Sequence, residues 1–500
     1  MLAKPLEVSM RRCAVACSLL SLAVGLLAGC PDRSIDKVIP AQGRVEAKDI
    51  PVNINRDLDL LFLIDDSPSM KDKQNNLAAN FDNFITVLSS IPGGLPNVHI
   101  GVATSDMGTK GGDGVVGTAI PPIGNGGCSG VGKNGDLQRF TAPIGTDLFI
   151  SDIANPTTGA RMRNYPDNMQ LKDVFSTMAR GAGATGCGFE QHLAAVKQAL
   201  QPNNPVNVGF LRPEAYLGVI IIADEDDCSL SSPQLLTSDT GTLGPRQSFR
   251  CTRFGVACDV NGKTTDAMNQ VGTKNQCHPS TDKTYLTDVA DYVSFLKGLK
   301  SDPRKVIVAG IMGTLDKFEV EMRPPNKGET AIPALAHSCT YIGADIDGDG
   351  KPDPEVADPP VRLQFFLDQF PNRSTFATIC QQDLSGGLRQ IGDLLKTVIG
   401  DPCIEGNLAD VDPVTPGPQY DCSVSYVVNP SMANAQETIM GTCGATIGSD
   451  PCWHLVPDTT NCGTTPTKLT LKIENEDQLK AMGPDVHVLA NCVTESAQMN

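Results

Sequence analysis

Asp65, Ser67 and Ser69 alternate in the run Asp-Asp-Ser-Pro-Ser, which follows directly on the apolar stretch from Leu60 to Ile64. Such a stretch reads as a buried strand, and α/β sheets bind their ligands at the carboxyl edge, where the strand stops. A tight turn there aims one carboxylate and two hydroxyls at a single point. Three hard oxygens so placed suit Mg²⁺, Mn²⁺ or Ca²⁺. An ordinary strand end, with Asp or Ser capping the next helix, is the structural alternative. Two later stretches have a related character. Thr185 lies in the turn Gly-Ala-Gly-Ala-Thr-Gly-Cys-Gly, ahead of a helical segment carrying Leu193, Val196 and Leu200 on one face. A second apolar strand, from Leu217 to Ala223, also ends in acid, Asp224-Glu225-Asp226-Asp227.

A second candidate cation site is Asp345-Ile-Asp347-Gly-Asp349-Gly-Lys351-Pro-Asp353. Acid at positions one, three and five with Gly at six wraps oxygen around Ca²⁺, and Lys351 would give its carbonyl. This loop is similar to the calcium loops of thrombospondin type 3 repeats and EF-hands, except that the twelfth position is Val356 where an EF-hand has Glu. An acidic solvated loop is the alternative. Enzymatic motifs are missing from the sequence: the six histidines form no His-Glu-x-x-His pair, and there is neither a Gly-x-Ser-x-Gly elbow nor a phosphate-binding Gly-x-x-x-x-Gly-Lys-Ser/Thr loop. His192 reads as a packed or surface helix residue. We expect a binding protein and not an enzyme.

These residues need a frame, and the periodicity supplies one. Leu77, Phe81, Phe84, Ile85 and Leu88 recur at helical spacing, and Val98 to Ala103 is the next strand, with Asp106 just past its end. Further on come a helix through Leu286, Val289, Val293 and Leu296, a strand from Lys305 to Met312, a helix from Val361 to Phe370, a strand from Phe376 to Ile379, and a helix through Leu388, Ile391, Leu395 and Val398 that stops at Gly400. Alternating strands and helices predict an α/β domain over residues 58–401, a doubly wound and mostly parallel sheet with insertions at about 231–283 and 313–357. Residues 402–500 hold short β-like pieces between Pro, Gly and Asn turns, a small Cys-rich β-type domain.

The N-terminus reads as an export signal. Arg11-Arg12 precede an apolar stretch that ends in Leu-Ala-Gly-Cys30. Residues 1–30 resemble a bacterial lipoprotein signal peptide, a family in which the residue matching Cys30 becomes lipidated; a membrane-spanning anchor is the alternative, for which the run is short. Residues 31–57 show no clear period and read as a tether, with an edge strand as the alternative. Of the 17 cysteines, Cys13, Cys17 and Cys30 belong to residues 1–30. The even remainder, in an oxidising envelope compartment, predicts disulfides, with eight cysteines before residue 402 and six after it; no Cys-x-x-Cys pair suggests zinc. A net charge of -17 argues against nucleic acid as a partner.

Asp65, Ser67 and Ser69, then Thr185, then Asp224 stand at the ends of successive elements in the order of a von Willebrand factor A domain. The sequence resembles bacterial cell-surface lipoproteins that carry this domain with a Cys-rich C-terminal module. The resemblance implies a vWA (Rossmann-like) fold and a metal-ion-dependent adhesion site, with Mg²⁺, Mn²⁺ or Ca²⁺ held by those five residues. Hydroxyl-rich coordination leaves the cation positive and open, so that an acidic side chain of a protein partner completes it. Two departures stand out: Thr185 precedes Leu193 by eight residues where the family spacing is about six, and Glu225 follows Asp224 where Gly is usual. The expected function is partner binding by a lipid-anchored protein of the cell envelope. The alternative is an envelope scaffold that keeps the fold and dispenses with the metal.

Overall fold

The computed structural model describes residues 44–51 and 55–495, save 92–93, 156–157, 326–327, 344–351, 353 and isolated positions beyond 400. Cys30 and the Asp345, Asp347, Asp349, Lys351 and Asp353 loop lie outside the described residues.

Arg44–Pro51 is β1 and Asp57–Ile64 is β2, followed by helix α1 at Lys71–Ser89 and β3 at Asn97–Thr104. An edge pair, β4 at Phe149–Ala154 and β5 at Arg161–Arg163, precedes helices α2 at Leu171–Gly181 and α3 at His192–Ala199. Then come β6 at Tyr216–Ile222, α4 at Val289–Lys297, β7 at Val306–Met312, α5 at Val361–Asp368, β8 at Ser374–Thr378 and α6 at Ser385–Gly400. The central sheet has seven strands in the order β8-β7-β6-β2-β3-β4-β5. Its first five are parallel, and β4 and β5 run antiparallel at the edge.

Strand β2 shows why the chain builds two layers of helix. Its side chains alternate, so that Leu58, Leu60, Phe62 and Ile64 face one core and Leu61 and Leu63 the other. The first core takes α1, α2 and α6, and Phe62, Phe81 and Phe175 cluster there with the Phe81 and Phe175 rings stacked at 3.6 Å. The second core takes α3, α4 and α5. Each such buried side chain contributes roughly 1.5–3 kcal/mol, and a strand buried on both faces has no polar side to offer solvent. From β2 the chain first moves outward to β3 and later returns to β6 on the other flank. The carboxyl ends of β2 and β6 therefore form the crevice where an open α/β sheet binds its ligands.

The segment expected to be a tether is partly a strand. β1 pairs antiparallel with the last strand, β11 (Val486–Thr494), in a four-stranded sheet ordered β1-β11-β9-β10, where β9 is Cys422–Val428 and β10 is Gln436–Met440. Its partner lies more than four hundred residues away, so no local period announces it. This C-terminal sheet sits at the amino edge of the central one: Arg304, two residues before β7, places Nη1 3.4 Å from Asp49 Oδ2, and Asp49 also pairs with His487. Among the described residues seven disulfides tie the chain, and each joins cysteines on the same side of residue 402. The 231–283 segment, which shows no core pattern in sequence, buries Leu235, Leu236, Leu243 and Phe254 around the Cys228–Cys251 bridge.

Candidate functional site at the β2 and β6 edge

Asp65 follows β2 and keeps its backbone in the ladder, its N–H donating to the Ile222 carbonyl at 2.9 Å. The Asp65 side chain is wholly buried. Its Oδ1 accepts from the Ser67 N–H at 2.8 Å and from the Ser105 hydroxyl at 3.0 Å, while Oδ2 has no hydrogen-bond partner. His192 Nε2 lies 3.7 Å from that oxygen, an ion-pair distance too long for a hydrogen bond. Burial pushes the Asp65 carboxyl up, but the neighbouring His192 and the donors from Ser67 and Ser105 outweigh it and hold the group below its ordinary value. His192, buried as well, is raised because the charge of Asp65 prevails over the cost of desolvation. Ser67 and Ser69 place their hydroxyls 3.1 Å apart, Ser67 buried and Ser69 exposed.

Asp224 stands beside this turn at the end of β6. Its Oδ1 is buried and unpartnered, and its Oδ2 lies 3.0 Å from the ammonium of Lys73. Burial pushes the Asp224 carboxyl up to about 6; Lys73 opposes this and the charge of Asp65 adds to it. Lys73 is 1% exposed and also donates to Glu355 Oε2 at 2.8 Å and to the Ser69 carbonyl at 2.9 Å. Glu355 belongs to the short strand Pro354–Ala357, which pairs antiparallel with Cys339–Ile342. The candidate calcium loop connects those two strands, so its base reaches the Asp224 carboxylate through one lysine.

The structure brings together Asp65, Ser67, Ser69 and Asp224. The Thr185 side chain is exposed, and among the described residues no contact ties its hydroxyl to the others. Its neighbour Gly186 makes the approach, donating its N–H to the Asp66 carbonyl at 2.7 Å. A Cβ at Gly186 would stand 2.4 Å from Asp66 Oδ1, so only glycine lets this loop come so near. Asp66 pairs with Lys133 Nζ at 2.5 Å.

The acids after Asp224 divide into separate roles. Asp226 accepts from the Arg362 and Leu363 N–H groups at 3.0 and 3.1 Å, closing the first turn of α5. Asp227 does the same for α3 through the Leu193 N–H at 2.9 Å and pairs with Arg362 Nη2 at 3.0 Å. Glu225, like the buried Glu190 of the second loop, has its carboxyl raised well above the ordinary value, first by burial and then by neighbouring carboxylates. Lys73, Glu190 and the position of His192 beside Asp65 are what the sequence reading missed. Lys73 had a signal, since it lies one helical turn beyond Ser69 and so shares its face.

Among the described residues no group of three or more His, Cys, Asp or Glu side chains converges as a metal site. A hydroxyl-rich site holds fewer acids than that. Two buried carboxylate oxygens without partners, one on Asp65 and one on Asp224, fit a cation on the donor chemistry of this edge.

No protein-family model and no curated protein matches the chain. Among solved structures the chain has a distant likeness to the pilus adhesin RrgA from Streptococcus pneumoniae, at 11% identity and a TM-score of 0.20 over 91% of this chain. The chain spans 58% of the length of that adhesin, and a likeness of this size carries no argument about fold or function.

Proposed function

We propose that this protein binds a protein partner through a divalent cation at the β2 and β6 edge, as an envelope lipoprotein of the von Willebrand factor A type lipidated at Cys30. The observation that carries the reading is the pair of buried oxygens without a hydrogen-bond partner, Asp65 Oδ2 and Asp224 Oδ1. Leaving such oxygens without a hydrogen bond costs on the order of 1–3 kcal/mol each, which a bound cation offsets. Asp65, Ser67, Ser69 and Asp224 would hold Mg²⁺, Mn²⁺ or Ca²⁺, with Thr185 entering by a rotation of its exposed loop. When bound, the cation supplies an open position for an acidic side chain of the partner. The remaining work belongs to the chain itself. Ser105 and the Ser67 N–H fix one oxygen of Asp65 and leave the other free, and Lys73 does the same for Asp224. The Asp345, Asp347, Asp349, Lys351 and Asp353 loop is proposed as a separate Ca²⁺ site.

Lys73 favours a second reading. An ammonium already bound to Asp224 and Glu355 is an internal cation, and it suits an envelope scaffold in which metal is dispensable. Calorimetric titration of the mature, disulfide-bonded chain with Mg²⁺, Mn²⁺ and Ca²⁺ separates the two. The adhesion reading expects saturable binding that is lost in Asp65→Ala, together with partner capture in Mg²⁺ that EDTA abolishes. Capture that survives both Asp65→Ala and EDTA establishes the scaffold instead.

A further inference from the structure

Next to this edge opens a cleft of about 510 Å³, walled by segments around residues 120–127, 188–190, 225–228 and 246–252. Five carboxylates line it, from Glu190, Glu225, Asp226, Asp227 and Asp358, against the two arginines Arg246 and Arg323. Most of these charges are already committed. Asp226 and Asp227 serve α5, α3 and Arg362, and Asp358 accepts from His337 Nδ1 at 2.7 Å. Arg323 donates to the Leu335 carbonyl at 3.0 Å and lies against His337 Nε2. Arg246 remains a charged group at the wall.

Glu190 and Glu225 differ from the rest. Glu190 is 2% exposed, and its Oε1 lies 3.9 Å from where a Cβ on the cleft-lining Gly188 would stand. Among the described residues no side chain or backbone donor of another residue is hydrogen-bonded to its carboxylate and no cation is paired with it. Glu225 lines the same cleft as Ser248. Two carboxylates that repel each other with so little compensation, both lining the cleft, ask for a cation that carries several donors.

We propose that this cleft is a pocket for a basic side chain of the partner protein, the guanidinium or ammonium lying between Glu190 and Glu225. A guanidinium presents five N–H donors in one plane and can serve two carboxylates at once. The partner's contact surface would then carry a basic residue for this cleft, whatever else it offers to the Asp65 and Asp224 edge. The pocket uses neither Asp65 nor Asp224, so it stands apart from the cation site and is tested without one.

The probe is N-acetyl-arginine amide, titrated into the mature, disulfide-bonded chain in EDTA and followed by calorimetry or NMR. Saturable binding in the millimolar range is expected, weaker by at least about tenfold for the neutral isostere N-acetyl-citrulline amide and for Glu190→Gln. Should Glu190→Gln not fold, Ser248→Arg puts an internal guanidinium at the wall of the cleft and is expected to fold and to exclude the probe. The proposal is overturned by the absence of saturable binding to the unaltered chain, by equal binding of the citrulline analogue, or by undiminished binding to Ser248→Arg. Loss of cation binding at Asp65 leaves this test untouched, so the two readings fail separately.

Discussion

Lys73 is the residue on which the carboxyl edge turns, because one buried ammonium neutralises parts of two carboxylates from distant segments. Replacing it by methionine leaves Asp224 and Glu355 facing each other without a counter-charge, at an expected cost of about 3–5 kcal/mol. Thermal unfolding of Lys73→Met should show that loss, and millimolar Ca²⁺ should recover part of it by taking the vacated place. A loss that Ca²⁺ does not touch would mean that the ammonium and a metal do not share the site. Asp66 makes a prediction of pH dependence. Burial pushes its carboxyl up from 3.8 to about 6, Lys133 opposes the rise, and Asp106 and Asp65 add to it. The folded state thus holds the proton more tightly than the unfolded chain does. The stability from this group is present in full below pH 4 and is lost as pH rises through about 6, on the order of 3 kcal/mol. The midpoint of Asp66→Asn should accordingly vary less between pH 4 and 7 than that of the unaltered chain.

At the scale of elements, the loop before α3 matters more than the hydroxyl it carries. Gly186→Ala forces a methyl against the Asp66 carboxylate and is expected to cost about 1–3 kcal/mol, whereas Thr185→Ala should leave unfolding unchanged. A measured midpoint that moves for Thr185→Ala and not for Gly186→Ala would reverse this account. The same stretch shows what a sequence discloses and what it withholds. Strands such as β2 and β6 were legible because burial on both faces writes an unbroken apolar run, and their acidic ends marked the edge. The helix α2 carries the same helical spacing in Leu171, Val174, Phe175 and Met178, and the short β4 and β5 edge carries too few residues to show a period. Asp226 and Asp227 show in sequence only as acid beyond the Asp224 strand end, and tertiary contact with two helix starts makes them caps. Glu190 and His192 gave no warning, since what distinguishes them is burial against Asp65 and Asp224.

At the scale of the molecule, the two ends of the chain share a sheet. Removing the residues before Asp57 strips β1 from β11 and bares an edge of eight paired positions. Hydrogen exchange should then quicken across residues 486–494 while the central strands keep their protection; an unchanged rate there would show that β11 does not need this partner. The Cys422–Cys492 bridge staples β9 directly opposite β11, and opening it by a paired Cys→Ala change should cost about 2–5 kcal/mol. The placing of β1 also has a mechanical meaning. Between residue 44 and Asp65 the covalent path is little more than two strands, β1 and β2, both already extended. Tension applied between residue 44 and Asp65 would travel along those strands without passing through a described helix or a disulfide loop. Chain that is already extended has little length left to give between those two points, so a load there is borne by the strand pairings themselves.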